Sequence, residues 1–392
     1  MPSDEHHYWE KRSIYRVPAH IANLNREAYQ PQAVSFGPYH YGEVHLRPME
    51  DHKHRALIHF LRRSWKPLEH LLESLRNVAG DLEASYVALD PKWKEGSGEG
   101  VVDRFLQLMI TDGCFMLEIL RFKTQEVNDY APNDPIFSDH GKLSVIPFIR
   151  RDMLLLENQL PMLVLDLLLD ACEFFSRNPK NHRLKCLRVL DVFRKSMLME
   201  PEKKDKARSK EIIRSATELR KHGIRFKKNQ TNSLNDISYA SGVLWLPMIS
   251  VDEDTESMFL NLIAFELSHV NAGKEVTSYI FFMDNLIDRG QDVALLHTKG
   301  IINNAMESDE AAAKLFNSLA VGVVLDPNSS LHDVINKVRE YCSDKRHKWR
   351  ANLIHTYFRN PWVILSLIAA ILLFVLAIIQ AIFTVLSYNT KT

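Results

Sequence analysis

The sequence predicts a mainly α fold: a helical globular domain with a small β insert, followed by a single C-terminal transmembrane helix. Three observations carry this. Apolar residues recur at helical spacing through most of the chain. Short apolar/polar alternations are confined to 223–249. No charge occurs between Asn360 and Thr390, a stretch whose middle reads PWVILSLIAAILLFVLAIIQAIFTVLSY.

Residues 1–13 are polar and expected to form a flexible N-terminus. In the following segment, Pro18, Pro31 and the Gly37-Pro38 pair punctuate extended or turn structure. A helix is expected from Met49, where Ala56, Leu57, Phe60, Leu61, Leu68, Leu71, Leu72 and Leu75 fall on one face. Pro67 should kink or divide it. Lys94–Gly100 has the composition of a flexible loop. Helices follow at Val102–Phe122 and at Arg150–Ala171. The second contains MLLLENQLPMLVLDLLLD, interrupted by Glu157, Asn158, Gln159, Pro161 and Asp166. Its unbroken apolar length falls short of a membrane span, so a fully buried core helix is expected. A helix near Leu184–Met199 leads into the mixed-charge surface stretch PEKKDKARSKE. Ile224, Phe226, Ile237, Tyr239, Val243, Trp245 and Leu246 supply the β alternations. Asp252, Glu253, Asp254 and Glu256 crowd the first turn of the next helix, where its dipole favours negative charge. Further helices fit 273–288, 308–319 and 331–348. The domain is thus expected over 14–358, the span over 361–388 and a short tail over 389–392.

The uncharged C-terminal helix would be about 40 Å long at 1.5 Å per residue, longer than a ~30 Å hydrocarbon core. This predicts a tail-anchored chain whose partner is the lipid bilayer. Lys345, Arg346, Lys348, Arg350 and Arg359 precede the span and only Lys391 follows it, so the positive-inside rule places the N-terminal domain in the cytosol. The sequons at Asn229 and Asn328 point weakly the other way. Ser366, Ala370, Ala377 and Ala381 share one stripe of the helix, with Gln380 at its edge. Such a stripe predicts packing against a second span, as in a homo-oligomer.

Composition excludes some classes. With 49 basic and 49 acidic residues the formal net charge is zero, unlike a general nucleic-acid binder. Cys114, Cys172, Cys186 and Cys342 lack CxxC spacing and read as reduced thiols. The phosphate-loop, nucleophile-elbow and HExxH signatures do not occur. His52, His54 and His59 do not converge along a helix, so no metal or other cofactor is expected. Asp112, Asp152, Glu157 and Glu266 are carboxylates in apolar settings. Such groups can be catalysts with raised pKa, but hydrogen-bonded structural roles are the expectation here, as for the amides of Asn158 and Gln159.

Several blocks together carry a resemblance: IYRVPAHIANLNREAYQPQAVSFGPYH, ITDGCFMLEILR, RRDMLLLENQLP, ATELRKHGIRFKK, VLWLPMISVDEDTESMFLNLIAFE and YFRNPWVILSLIAA. In this order they resemble the plant family known as domain of unknown function 247 (DUF247), of the UPF0481 type. The motif positions are Asp112, Asp152, Glu157, Asn158, Gln159, Pro161, Glu266, Pro361 and Trp362. The resemblance implies a plant membrane protein with one span, for which the plasma membrane is the expected site. It implies no enzymatic activity. The function expected is interaction with an unidentified protein, or signalling, at a membrane. The alternatives are a pollen-side determinant of self-incompatibility and an unrecognised hydrolase or transferase.

Overall fold

The computed structural model describes residues 12–23, 25–94, 100–124, 129–171, 188–198, 213–269, 272–321, 329–344 and 361–389. The loop glycines Gly96 and Gly98, the stretch 201–211, Cys172, Cys186, Asn328, the basic cluster 345–359 and Lys391 lie outside these residues.

The N-terminal half is helical. A short helix, α1 (Ala19–Ala22), precedes α2 (Pro48–Ser64), α3 (Leu68–Arg76), α4 (Ala79–Ala84) and the long α5 (Val101–Thr124). Trp65 closes α2 in a left-handed conformation (φ 55°) and Pro67 caps α3. Pro67 therefore divides the apolar stripe, because a residue preceding proline is disfavoured in helical geometry. Next come α6 (Asp139–Ser144), α7 (Ile146–Met153) and α8 (Met162–Ala171). Ser138 caps α6 by accepting from the Gly141 amide at 3.2 Å. Ile14, Phe36, Phe60, Leu71, Phe105, Phe115, Phe137 and Leu168 anchor one hydrophobic core, to which α2–α5, α7 and α8 contribute.

The C-terminal half contains α9 (Val189–Met197), α10 (Ala216–Lys221), β1 (Arg225–Lys228), β2 (Ser238–Ala240), β3 (Val243–Leu246) and β4 (Ile249–Val251). Then follow α11 (Thr255–Ser268), α12 (Glu275–Leu286), α13 (Gly290–Thr298), β5 (Ile302–Asn304), α14 (Asp309–Leu319) and α15 (Leu331–Ser343). β3 lies between β1, parallel to it, and β2, antiparallel. β4 pairs in parallel with β5, in the register Ile249 to Ile302. Phe259, Phe265, Tyr279, Phe282, Leu296 and Phe316 build the second core. Burying each large apolar side chain contributes roughly 1.5–3 kcal/mol.

The structure corrects three expectations. The first is the transmembrane helix. Among the described residues no helix is long and apolar enough to cross a membrane. The segment does form a helix, α16 (Pro361–Asn389). Lipid-phase pairing through Ser366, Ala370, Ala377, Gln380 and Ala381 loses its basis with the span.

The second is the single core helix at 150–171, which is two helices, α7 and α8, joined by a turn. Pro161 lacks the N–H a continuing helix needs, and the side chains of Asn158 and Gln159 bond backbone groups instead of facing a helical groove. The third concerns the β structure, which extends beyond 223–249 to β5.

Candidate functional site

The two cores meet at a pair of backbone segments. One is a strap, residues 28–39, that leaves a single 3-10 turn at Tyr29. Ala28 and Tyr29 sit in the second core, and Val34 and Phe36 in the first. The other is the turn 154–160 between α7 and α8, where Leu156 belongs to the second core and Leu160 to the first. Polar side chains of the turn and of α5, α7 and α11 hold the strap.

Asp152, in the last turn of α7, is completely buried. Its carboxylate accepts from the amides of Gln32 (3.0 Å), Ala33 (2.6 Å) and Val34 (3.0 Å), and Arg151 lies 3.0 Å away. Burial raises its pKa, against the pull of these amides and of Arg151. Each of the three donors would cost about 1–3 kcal/mol if left unpaired. Asn158 continues the clamp. Its Oδ1 accepts from Phe36 N at 2.6 Å, and its Nδ2 donates to Val34 O and Asp152 O, both at 3.0 Å. Gln159 donates to Met153 O and Leu155 O and accepts from Leu190 N at 3.0 Å, which ties the turn to α9. Glu157 faces the other way, accepting from Val17 N at 2.7 Å and pairing with Arg16 at 3.3 Å. Pro161 bridges to Arg188.

Asp112 reaches the strap from α5. It accepts from Gly37 N at 2.8 Å and pairs with Lys53 at 2.8 Å, both side chains being fully buried. Lys53 also meets Glu50 at 2.7 Å. Burial pushes the Asp112 carboxyl up to about 6, with Lys53 opposing the shift. Burial works to lower the Lys53 pKa, but Asp112 and Glu50 outweigh it and raise it. Gly37 adopts φ +73°, and a Cβ there would lie 2.8 Å from both Gln159 O and the Tyr86 hydroxyl. A side chain would break this close approach.

Glu266, in α11, performs the equivalent task in the second core. It accepts from Arg194 Nε (2.7 Å), Val276 N (3.0 Å), Thr277 N (2.8 Å) and the Thr277 hydroxyl (2.6 Å), and so fixes the start of α12. Its pKa is raised by burial, against Arg194 and Thr277. Asn261 joins three segments: it accepts from Leu156 N at 2.7 Å and donates to Ala28 O and Ser257 O at 2.8 Å.

The structure therefore brings Asp112, Asp152, Asn158 and Gln159 together around one strap, with Glu157 at its margin. Glu266 stands apart in the second core. Pro361 opens α16, Trp362 on it is exposed, and Ser366, Ala370, Ala377, Gln380 and Ala381 occupy exposed positions along the same helix. Lys53, Asn261 and Arg188 are buried polar residues that the sequence reading passed over. Lys53 carried a signal, because it falls on the apolar stripe of α2 with Met49, Ala56 and Phe60. Asn261 also sits within an apolar run. Arg188 had no local mark.

A surface cavity of about 300 Å³ is lined by Arg12, Gly80, Glu83, Tyr86 and Lys94, among others, and none of the buried carboxylates faces it. Among the described residues no group of three His, Cys, Asp or Glu side chains could hold a metal ion. Cys114 is a buried cysteine and Cys342 a half-buried one.

Fold and site together define a mainly helical protein with two cores locked by a buried polar clamp. The chain belongs to the DUF247 family, described as plant proteins of unknown function, whose family model matches residues 14–376. It is 31% identical to a UPF0481 protein of Arabidopsis thaliana over 428 aligned positions, covering 97% of this chain and 87% of the relative. A second Arabidopsis UPF0481 protein is 30% identical over 170 positions, 43% of this chain and 32% of that protein. No solved structure matches the chain.

Proposed function

We propose that this plant protein is a protein-interaction module and not an enzyme. The observation that supports this is where its buried acids are engaged. Asp152 accepts from three backbone amides, Asp112 from one amide and a lysine, and Glu266 from two amides, a hydroxyl and an arginine. A general base needs a lone pair aimed at a substrate proton. These carboxylates aim theirs at the protein's own amides and side chains, and their raised pKa values follow from burial. Glu157 is the member nearest to solvent, and it too holds a backbone amide.

Hydrogen bonds from Asp152, Asn158 and Gln159 tie the strap, the turn and α9 together, and a buried polar network of this kind rigidifies a core. A rigid scaffold suits recognition, since less ordering entropy is lost on binding. Proximity labelling in plant cells with the full chain should return a reproducible set of neighbouring proteins. A Glu157→Gln variant with parental thermal stability should return the same set. A chemical turnover by the purified parent that this well-folded variant loses would establish the enzyme reading instead.

A further inference from the structure

Arg188 stands at the N-terminus of α9 with its guanidinium completely buried. Two aromatic rings lie close to it. The Phe265 ring centroid lies 4.3 Å from Cζ and the Tyr15 centroid 5.6 Å away. Its edges are not satisfied: Nε, Nη1 and Nη2 have no hydrogen-bond partner among the described residues. A guanidinium carries five N–H donors in a planar fork and keeps its charge under physiological conditions. Leaving that fork unpaired inside a protein is costly, and aromatic faces offset only part of the cost.

The described residues around it do not supply the missing acceptor. Asp191 acts on Arg188 at a distance, while its carboxylate pairs with Lys195 at 3.1 Å. Tyr15 donates its hydroxyl to Arg12 O at 2.5 Å and lies 3.2 Å from His269 Nδ1. The His269 ring in turn stacks on Phe265 with centroids 5.6 Å apart. Tyr15 and His269 are only half-buried, so the aromatic wall around Arg188 reaches solvent at this rim. The result is a fully buried, unpaired fork donor beside two aromatic rings and near the half-buried Tyr15 and His269. This complements a planar or tetrahedral oxyanion, which a guanidinium binds through two parallel hydrogen bonds.

We propose that Arg188, walled by Tyr15, Phe265 and His269, is a binding site for a small oxyanion, the carboxylate or phosphate group of a ligand. The proposal does not depend on the protein-interaction reading.

The test uses the purified full chain in sodium phosphate, sodium acetate or sodium chloride at matched ionic strength. Thermal unfolding and isothermal calorimetry are the readouts. One oxyanion should raise Tm by several degrees over chloride, saturably, and the salt that does so distinguishes a phosphate from a carboxylate site. Arg188→Gln should weaken that binding at least tenfold, and Arg188→Lys should bind more weakly than the parent because it lacks the fork. Arg188→Met should match or exceed the parent's Tm in chloride, because it removes an unpaired buried charge. Two results would overturn the proposal. One is the same parental Tm in all three salts with no heat of binding. The other is an oxyanion shift undiminished in both Arg188→Lys and Arg188→Gln. If Arg188→Gln does not fold, the comparison of the parent with Arg188→Lys decides.

Discussion

Asp112 and Lys53 form an ion pair in which neither side chain touches solvent. Such pairs contribute little net stability, but removing one partner is expensive. This pair also makes stability depend on pH. The folded-state pKa of Asp112, about 6, lies above that of an unfolded aspartate, so the folded state holds the proton more tightly. The contribution of Asp112 therefore increases as pH falls through 6 towards the unfolded value near 4, and is lost as pH rises through 6. Asp112→Asn removes the titration. Relative to this variant, the parent should gain about 1 kcal/mol of unfolding free energy between pH 7 and pH 5. Urea titrations of both proteins at the two pH values measure it. A difference independent of pH would mean that Asp112 stays ionised throughout. Lys53 was open to discovery from the sequence, since it interrupts an apolar stripe. The acceptors around Asp152 were not, because Gln32, Ala33 and Val34 lie about 120 positions away and reveal nothing through their spacing.

The helices follow from local pattern wherever the pattern is long. The expected 102–122 is Val101–Thr124, and 308–319 is Asp309–Leu319, which starts at a Ser308 cap accepting from Ala311 N. Local pattern failed where side chains competed with it. Glu157, Asn158 and Gln159 read as polar positions in one helix but break it into two, because each satisfies distant backbone. β5 was equally hidden, since Ile302–Asn304 is too short to alternate and exists through β4. The packing of α5 on α8 is a further element-scale feature. Gly113 lies in α5 where a Cβ would stand 2.5 Å from Leu168 Cδ1 and 3.2 Å from Val164 Cγ1. Gly113→Ala would gain up to about 1 kcal/mol of helix propensity, but overpacking costs typically 1–3 kcal/mol. The variant should be less stable than the parent in thermal unfolding. A rise in Tm would show that Leu168 swings aside at no cost.

At the scale of the molecule, the strap and the turn each contribute residues to both cores. The protein should therefore lose its two halves in one cooperative event. Asn158→Ala would leave Phe36 N, Val34 O and Asp152 O without this partner, a loss of about 3 kcal/mol or more. Native-state hydrogen exchange should show that loss equally in peptides from 105–119 and from 279–287. A fall in protection confined to the first would mean that the cores open independently. The membership of the chain in its plant family adds nothing to this expectation, which rests on the hydrogen bonds alone. The same bonds impose an order on events at the ribosome. Ala28 O accepts hydrogen bonds from Ser257 and Asn261, partners 229 and 233 positions further along. At a synthesis rate of about 5–20 residues per second, Ala28 emerges on the order of ten seconds or more before Ser257 and Asn261. Throughout that interval Asp112, Asp152 and Asn158 can hold the 32–37 end of the strap, while its Ala28 end stays unlatched. The last latch closes only when α11 has left the exit tunnel.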